Sequence, residues 1–327
     1  MQGKIALEEH FSTEETIGDS QRYAPPTHWP ELRERLLDIQ NRRVREMDEN
    51  GVELMLLSLN SPAVQAVPDA TKAVDLARRA NDHLAEEIVK RPDRFKGFAA
   101  LPMQDPEAAA AELRRAVVDL GFVGALVNGF SELDADGTVS HYDTAEYRPF
   151  WAEVERLDVP FSLHPRNPLP PDARVYGDHE WLIGPAWAFG HETAVHALRL
   201  IGSGLFDAHP GLRIVLGHLG ENLPYGLWRL DNHNAWHGQR APGYQARRDV
   251  TDYFRKNFLI TTSGNFHTET LVAAIMAVGA ERILFSTDWP FENVDHAAGW
   301  FDSAKISDED RRRIGRDNAV REFRLAA

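Results

Sequence analysis

Lys4-Ile5-Ala6-Leu7-Glu8-Glu9-His10 is a short apolar run that ends in two carboxylates and an imidazole. Read as a strand, its side chains alternate between faces, so Glu8 and His10 point one way and Glu9 the other. One carboxylate and one imidazole, two residues apart at a strand end, make half of a metal site. A single Glu-x-His is more commonly a polar loop after a strand. Its meaning therefore depends on whether the rest of the chain repeats the strand and supplies the other half.

The strand does repeat. After Ile5–Leu7 come Glu53–Ser58, Phe95–Leu101, Phe122–Val127, Val159–Leu163, Arg213–Leu216, Phe258–Thr262 and Arg282–Phe285, all β-rich. Helical patterns lie between and after them: Leu36–Asn50, Lys72–Arg91, a stretch capped by Asp105-Pro106 that runs to Leu120, Tyr147–Leu157, Glu192–Ser203, Leu223–Trp236, Thr268–Val278 and Asp308–Phe323. Pro106 at a first helical position and Gly51 at a helix end carry the expected start and stop chemistry. Strict strand–helix alternation predicts an α/β protein of the (β/α)₈ TIM-barrel type. An open doubly wound sheet is the alternative, weakened because no Gly-x-Gly-x-x-Gly follows any strand.

Three connections are long, Phe11–Leu32, Phe130–Glu146 and Pro165–Glu192, and each follows a strand. In a barrel these belong to the face where active sites are built, as lids or walls. With no internal repeat, low-complexity tract or linker, residues 1–327 read as one barrel domain. A hydrophobic fraction of 43% over 327 residues suffices for so large a core.

Composition removes several functions. The net charge is -14 and no basic block occurs, so nucleic acid is not an expected partner. Cysteine is absent, which excludes disulfides, thiolate ligands and cysteine nucleophiles and suits a cytoplasmic protein. No apolar run reaches the ~18 residues of a membrane span, and Glu8 and Glu9 stand where a signal peptide would need its apolar core.

The polar residues at the strand ends then line up. The first strand gives Glu8 and His10, the fourth Asn128, the fifth His164, the sixth His218 and the eighth Asp288. A barrel interior wants branched aliphatics, so each of these costs stability unless paired or metal-bound. One such histidine reads as a hydrogen-bonded core residue; three histidines with two carboxylates converging on one barrel mouth read as a metal site. Glu8, His10, His164 and Asp288 are the expected ligands. Two nitrogens and two oxygens without sulfur suit one divalent ion per chain, Mn²⁺ or Zn²⁺. No lysine ends the fourth strand, so no carbamylated-lysine bridge to a second metal is expected. His218 lies in Gly217-His218-Leu219-Gly220-Glu221, where Glu221 is placed to orient the imidazole or to favour a helix N-terminus. Arg229 is a candidate for a substrate carboxylate, although an exposed salt bridge fits it as well. Trp187, Phe189, Trp289 and Phe291 flank the fifth- and eighth-strand ligands and are candidates to wall a flat ring, with ordinary core packing as the plainer reading.

At these residues the sequence resembles the amidohydrolase superfamily, in its metal-dependent decarboxylase branch with aminocarboxymuconate-semialdehyde decarboxylase. It is similar above all to the gamma-resorcylate (2,6-dihydroxybenzoate) decarboxylases. The resemblance runs through Gly3–His10, Leu57-Ser58-Leu59-Asn60, Leu126–Phe130, His164-Pro165-Arg166-Asn167-Pro168, Gly217–Glu221 and Phe285–Phe291. The superfamily usually opens with His-x-His; Glu8-x-His10 departs from that and matches the dihydroxybenzoate decarboxylases. The resemblance implies that Glu8, His10, His164 and Asp288 hold the metal with His218 beside it, that the substrate is a small aromatic acid, and that the protein is a homodimer or homotetramer. It implies reversible, non-oxidative loss of carbon dioxide from 2,6-dihydroxybenzoate to give resorcinol. For that chemistry Asp288, at the metal, is the expected proton donor ahead of His218, which Glu221 orients, with Asn128, Phe189, Arg229 and Phe291 as the candidate substrate contacts. Another ortho-hydroxybenzoate, such as the 2,3 isomer, is the near alternative. A metal-dependent lactone or amide hydrolase and a non-catalytic ligand-binding barrel are the distant ones.

Overall fold

All eight positions of the first strand, Lys4–Phe11 (β1), are buried, so the run is covered on both faces, as in a parallel sheet wrapped by helices. The computed structural model describes residues 1–327 except 22, 23, 25, 135, 236–239, 326 and 327. Seven more barrel strands follow: Val52–Leu59 (β2), Phe95–Ala99 (β3), Gly124–Asn128 (β4), Phe161–His164 (β5), Ile214–Leu216 (β6), Phe258–Thr261 (β7) and Ile283–Leu284 (β8). They pair in parallel in chain order. The ends of the sheet meet through His10 N–H to Trp289 O at 2.7 Å, and Ser286 Oγ meets Glu8 N at 2.5 Å. This is the near-closed eight-stranded barrel expected from the sequence.

The helices are Trp29–Leu37 (α1), Arg42–Glu49 (α2), Ala70–Lys90 (α3), Pro106–Val118 (α4), Arg148–Leu157 (α5), Ala188–Gly202 (α6), Leu223–Asn234 (α7), Val250–Asn257 (α8), Thr268–Val278 (α9), Val294–Ser303 (α10) and Asn318–Phe323 (α11), with shorter turns between. Of the helix expected over Leu36–Asn50, the structure keeps α2 and the last two residues of α1, with a break at Asp38, whose carboxylate accepts from the Asn41 and Arg43 amides and so starts α2 afresh. The helix expected over Asp308–Phe323 is interrupted by a wider turn at Arg313–Asp317. Helices α8 and α10 were not anticipated, nor was most of α1, which begins inside the expected connection Phe11–Leu32. Trp236, the expected end of the sixth helix, lies outside the described residues.

Inside the barrel, Ile5, Leu7, Leu54, Leu56, Phe98, Leu126, Val215, Leu259 and Leu284 form one apolar cluster, closed at one end by Phe323 and Leu325. These are alternate strand positions, as barrel packing requires. Continuing the alternation from Ile5 and Leu7 would send Glu9 inward and leave Glu8 and His10 outside. A register shift prevents this: Ala6 pairs with Met55 and Glu9 with Leu57, so β1 spends three residues where β2 spends two. Such a bulge reverses the alternation. Glu8 and His10 therefore sit above Leu7 at the barrel mouth, level with Ser58, Asn128, His164 and Thr261.

Candidate metal centre and active site

Donor atoms of Glu8, His10, His164 and Asp288 all lie within 4.8 Å of one another. Each is held by a neighbouring strand. Glu8 Oε2 accepts from Thr261 Oγ1 at 2.8 Å and Ser263 Oγ at 2.7 Å, leaving Oε1 3.6 Å from His164 Nε2. His10 Nδ1 lies 3.2 Å from Ser58 Oγ, which turns Nε2 toward Asp288 Oδ1 at 3.4 Å. Glu8 Oε1 and His10 Nε2 are buried and have no hydrogen-bond partner. Two buried polar atoms with nothing to bind, aimed at one point beside a second imidazole and a second carboxylate, fit a cation and little else. The donor set has two nitrogens and two oxygens, which suits Mn²⁺ or Zn²⁺. The backbone makes room for it: a Cβ on Gly217 would stand 2.6 Å from Glu8 Oε1.

His218 completes the group from an unusual turn. Residues His218, Leu219, Gly220, Glu221 and Asn222 all have positive φ, between 52° and 85°, a conformation that costs non-glycine residues energy and is kept where the surroundings enforce it. The turn brings Glu221 Oε1 to 2.8 Å from His218 Nδ1. His218 Nε2 then faces Asp288 Oδ2 at 3.8 Å and Glu8 Oε1 at 3.9 Å. Asp288 is itself left-handed, with φ 64°.

The charges follow from burial and neighbours. Burial raises the Glu8 carboxyl above its ordinary range, although His218 and His10 oppose the shift. Burial would do the same to Asp288, but its contacts with His10 and His218 outweigh that and hold it well below the usual carboxylate range. His164 is pushed well below the ordinary histidine value by burial and then by His10, so it presents a neutral ring. Burial opposes the His218 charge, yet Glu221, Asp288 and Glu8 together raise it well above the ordinary value.

The site opens into a cavity of about 560 Å³ lined by His164, His218, Asp288, Phe189 and Phe291, with Asn60, Asn167, Glu180 and Glu292 among its polar groups. The long connections after β1 and β5 build its walls, through Ser20, Ala24, His28 and Leu32 and through Asn167–Phe189. Phe291 also stands edge-on to His10, with ring centroids 5.8 Å apart. The cavity is large enough for a small aromatic acid.

Four sequence expectations need correction. Arg229 does not reach this cavity; it lines a separate opening between α6 and α7, of about 630 Å³, with Trp187 and Glu221. Helix α7 points that side of its surface away from the barrel mouth. Trp187 is likewise on the wrong opening. Trp289 is fully buried under the Arg43 guanidinium, 3.9 Å from its ring centre, and donates to Glu46. Asn128 does end β4 beside His164, but its Nδ2 is spent on Leu59 O at 3.4 Å and its amide on Gln65 Oε1 at 3.2 Å; it ties β4 to β2 and does not line the cavity. Residues that sequence reasoning passed over include Asn60, Asn167, Thr261, Ser263 and Glu9. Asn60 and Asn167 lay inside motifs already singled out; Thr261 and Ser263 carried no signal, being ordinary strand-end hydroxyls.

The model for the family described as Amidohydrolase matches residues 21–325. The chain belongs to the amidohydrolase family. It is 64% identical over 325 residues to gamma-resorcylate decarboxylase of Polaromonas sp. (strain JS666 / ATCC BAA-500), with 99% of each chain covered. Among solved structures it is similar to 2,6-dihydroxybenzoate decarboxylase complexed with 2,6-dihydroxybenzoate, with TM-score 0.97 and 63% identity over 99% of this chain and 100% of that one. It is also similar to the dihydroxybenzoic acid decarboxylase of Polaromonas sp. JS666 with bound manganese and the inhibitor 2-nitroresorcinol, with TM-score 0.96 and 64% identity over 99% and 98% of the two chains.

Proposed function

We propose that this protein is a metal-dependent carboxy-lyase that converts 2,6-dihydroxybenzoate to resorcinol and carbon dioxide without oxidation, and runs the reverse carboxylation when resorcinol and carbon dioxide are supplied. The observation that carries the reading is the convergence of Glu8, His10, His164 and Asp288 at the foot of a cavity walled by Phe189 and Phe291, in a chain nearly two-thirds identical to gamma-resorcylate decarboxylases.

We assign those four residues as the ligands of one divalent ion, with Mn²⁺ preferred over Zn²⁺. When bound, the ion supplies fixed positive charge that orients the substrate's carboxylate and ortho oxygen and steadies the anionic ring. The remaining chemistry belongs to the chain. Breaking the ring–carboxylate bond directly would leave an aryl carbanion, so the ring carbon must be protonated first. Asp288 starts ionised, because of His10 and His218. Its Oδ1 is turned to His10 and its Oδ2 to His218, so Oδ2 is the atom placed to take the proton of an ortho hydroxyl. Asp288 then delivers that proton to the carboxyl-bearing carbon, and the ring loses aromaticity. The carbon–carbon bond breaks, its electron pair restores the ring, carbon dioxide leaves, and the phenolate takes a proton from water. His218, held charged by Glu221, keeps Asp288 in its ionised resting form. Phe189 and Phe291 flank the ring and keep bulk water from it.

The protein's form is assigned as a cytoplasmic homodimer or homotetramer. Trp181, Trp187, Tyr225 and Trp228 are exposed large apolar side chains, which supports a covered surface. Among the described residues no helix is long and apolar enough to cross a membrane. The functional test is incubation of Mn²⁺-loaded protein with a panel of dihydroxybenzoates, with products separated by chromatography. Resorcinol from the 2,6 isomer is the expected result; recovery of every isomer unchanged from Mn²⁺-loaded protein overturns the reading.

A further inference from the structure

Glu9 plays no part in the chemistry above, yet it is wholly buried at the seam where β1 meets the end of β8. Its Oε1 accepts from Thr287 N at 2.7 Å and Ser286 Oγ at 3.2 Å. Its Oε2 accepts from Thr287 Oγ1 at 2.5 Å and Trp289 N at 3.2 Å. The two backbone amides it grips are those on either side of Asp288. Between them Asp288 adopts its left-handed φ of 64°, where a non-glycine residue rests only if its neighbours hold it. No strand ladder does so, since β8 ends at Leu284.

From this geometry we infer that Glu9 is a positioning residue: its carboxylate clamps the backbone on both sides of Asp288 and so fixes where the Asp288 carboxylate stands relative to Glu8 and His10. The bulge in β1 makes this possible, because it turns Glu8 and His10 into the mouth and Glu9 out toward the seam. One three-residue stretch then supplies two site groups and the clamp for a third. Arg43 lies behind it, donating to His10 O at 2.5 Å. Burial raises the Glu9 pKa to about 7, against the four donors and the Arg43 charge, which favour the carboxylate. All four of Glu9's contacts are donors, which defines the chemistry required at this position: an acceptor on both oxygens, met by a carboxylate and not by an amide.

The inference rests on the proposed ligand set, and its test separates the two. Glu9→Gln keeps size and shape but turns an NH₂ toward one of the two amides. Against wild type, its affinity for Mn²⁺ added alone should weaken by roughly 10–100-fold, the range typical for groups that orient a metal ligand. The electron paramagnetic resonance spectrum of bound Mn²⁺ should broaden, and kcat should fall more than KM rises. Thr287→Val, which removes the Oγ1 contact and leaves both amides gripped, should fall between wild type and Glu9→Gln on each readout, whereas Thr287→Ser should match wild type. If Glu9→Gln lowers only the melting temperature, while folded protein keeps wild-type Mn²⁺ affinity, spectrum and kcat, the clamp is structural and the inference is overturned. If Glu9→Gln does not fold, Thr287→Val decides by the same criteria. Wild-type protein that binds Mn²⁺ but releases no carbon dioxide overturns the proposed function and leaves this comparison intact.

Discussion

Asp288 carries the heaviest assignment of any residue, since it is proposed as both ligand and proton donor. Asp288→Asn keeps one oxygen for the ion but cannot deliver a proton. It should bind substrate nearly as wild type does and lose about 10²–10⁴-fold in single-turnover rate, the usual scale for a positioned acid. His218→Asn should lose less. Near-wild-type turnover in metal-loaded Asp288→Asn, with His218→Asn dead, would move the donor role to His218. Glu8→Ala and His164→Ala should each lose most of the bound ion by elemental analysis, and full retention in both would contradict the ligand set. At this scale the sequence was informative about groups whose chemistry is costly to bury: Glu8, His10, His164, His218 and Asp288 all meet at one place. It misled where a residue type has many uses. Arg229 and Asn128 stand at sound positions in the chain, but a helix rotation and a hydrogen bond to Leu59 take them out of the cavity.

The elements explain why the site can exist. Strand β1 brings Glu8 and His10, two of the proposed ligands, to the mouth only because its bulge reverses the pleat after Leu7. No residue in Leu7-Glu8-Glu9 announces a bulge, so strand alternation predicts that Glu8 and His10 share a face without predicting that this face is the inward one. Turn residues were legible in the same partial way: Gly217 marked the end of β6, while its closeness to Glu8 depends on a strand far away in the chain. Gly217→Ala places a methyl 2.6 Å from Glu8 Oε1; metal titration should show weakened binding in a folded protein, and unchanged affinity would mean that Glu8 is free to move. Caps were legible outright. Asp105 accepts from the Glu107 and Ala108 amides at the start of α4, and Asp105→Ala should cost about 1 kcal/mol in urea unfolding with turnover per folded molecule unchanged. The break at Asp38 was not legible, because Leu36–Asn50 keeps its helical pattern through it.

For the whole molecule, eightfold alternation fixed the barrel, and its eight strands are all parallel in chain order; the one antiparallel pair among the described residues, Ser131–Glu132 with Val139–Ser140, lies outside it. Unanticipated features such as α8 and α10 fill space around that frame. Acid stability is a property of the frame too. His196 is fully buried, and its Nε2 accepts from the Tyr142 amide at 3.1 Å, so the ring is neutral. Burial first, then His141 and Arg199, lower its pKa well below the ordinary value. The unfolded chain therefore binds a proton at His196 that the folded chain refuses. That stability is intact above the unfolded value and is lost as pH falls below about 6.5, at up to ~1.4 kcal/mol per pH unit. Urea midpoints between pH 7 and 5 should fall less steeply in His196→Gln, whose amide oxygen can still accept from Tyr142; an identical slope in the variant would contradict this.

Central to the whole account is chelation: a hydroxyl ortho to the carboxylate must both reach the ion and hand its proton to Asp288. The most direct measurement is the rate of carbon dioxide release by Mn²⁺-loaded protein from 2,6-dihydroxybenzoate and, side by side, from 3,5-dihydroxybenzoate, which has the same groups but no ortho hydroxyl. The account predicts release with stoichiometric resorcinol from the first and none from the second; comparable release from both isomers would contradict it.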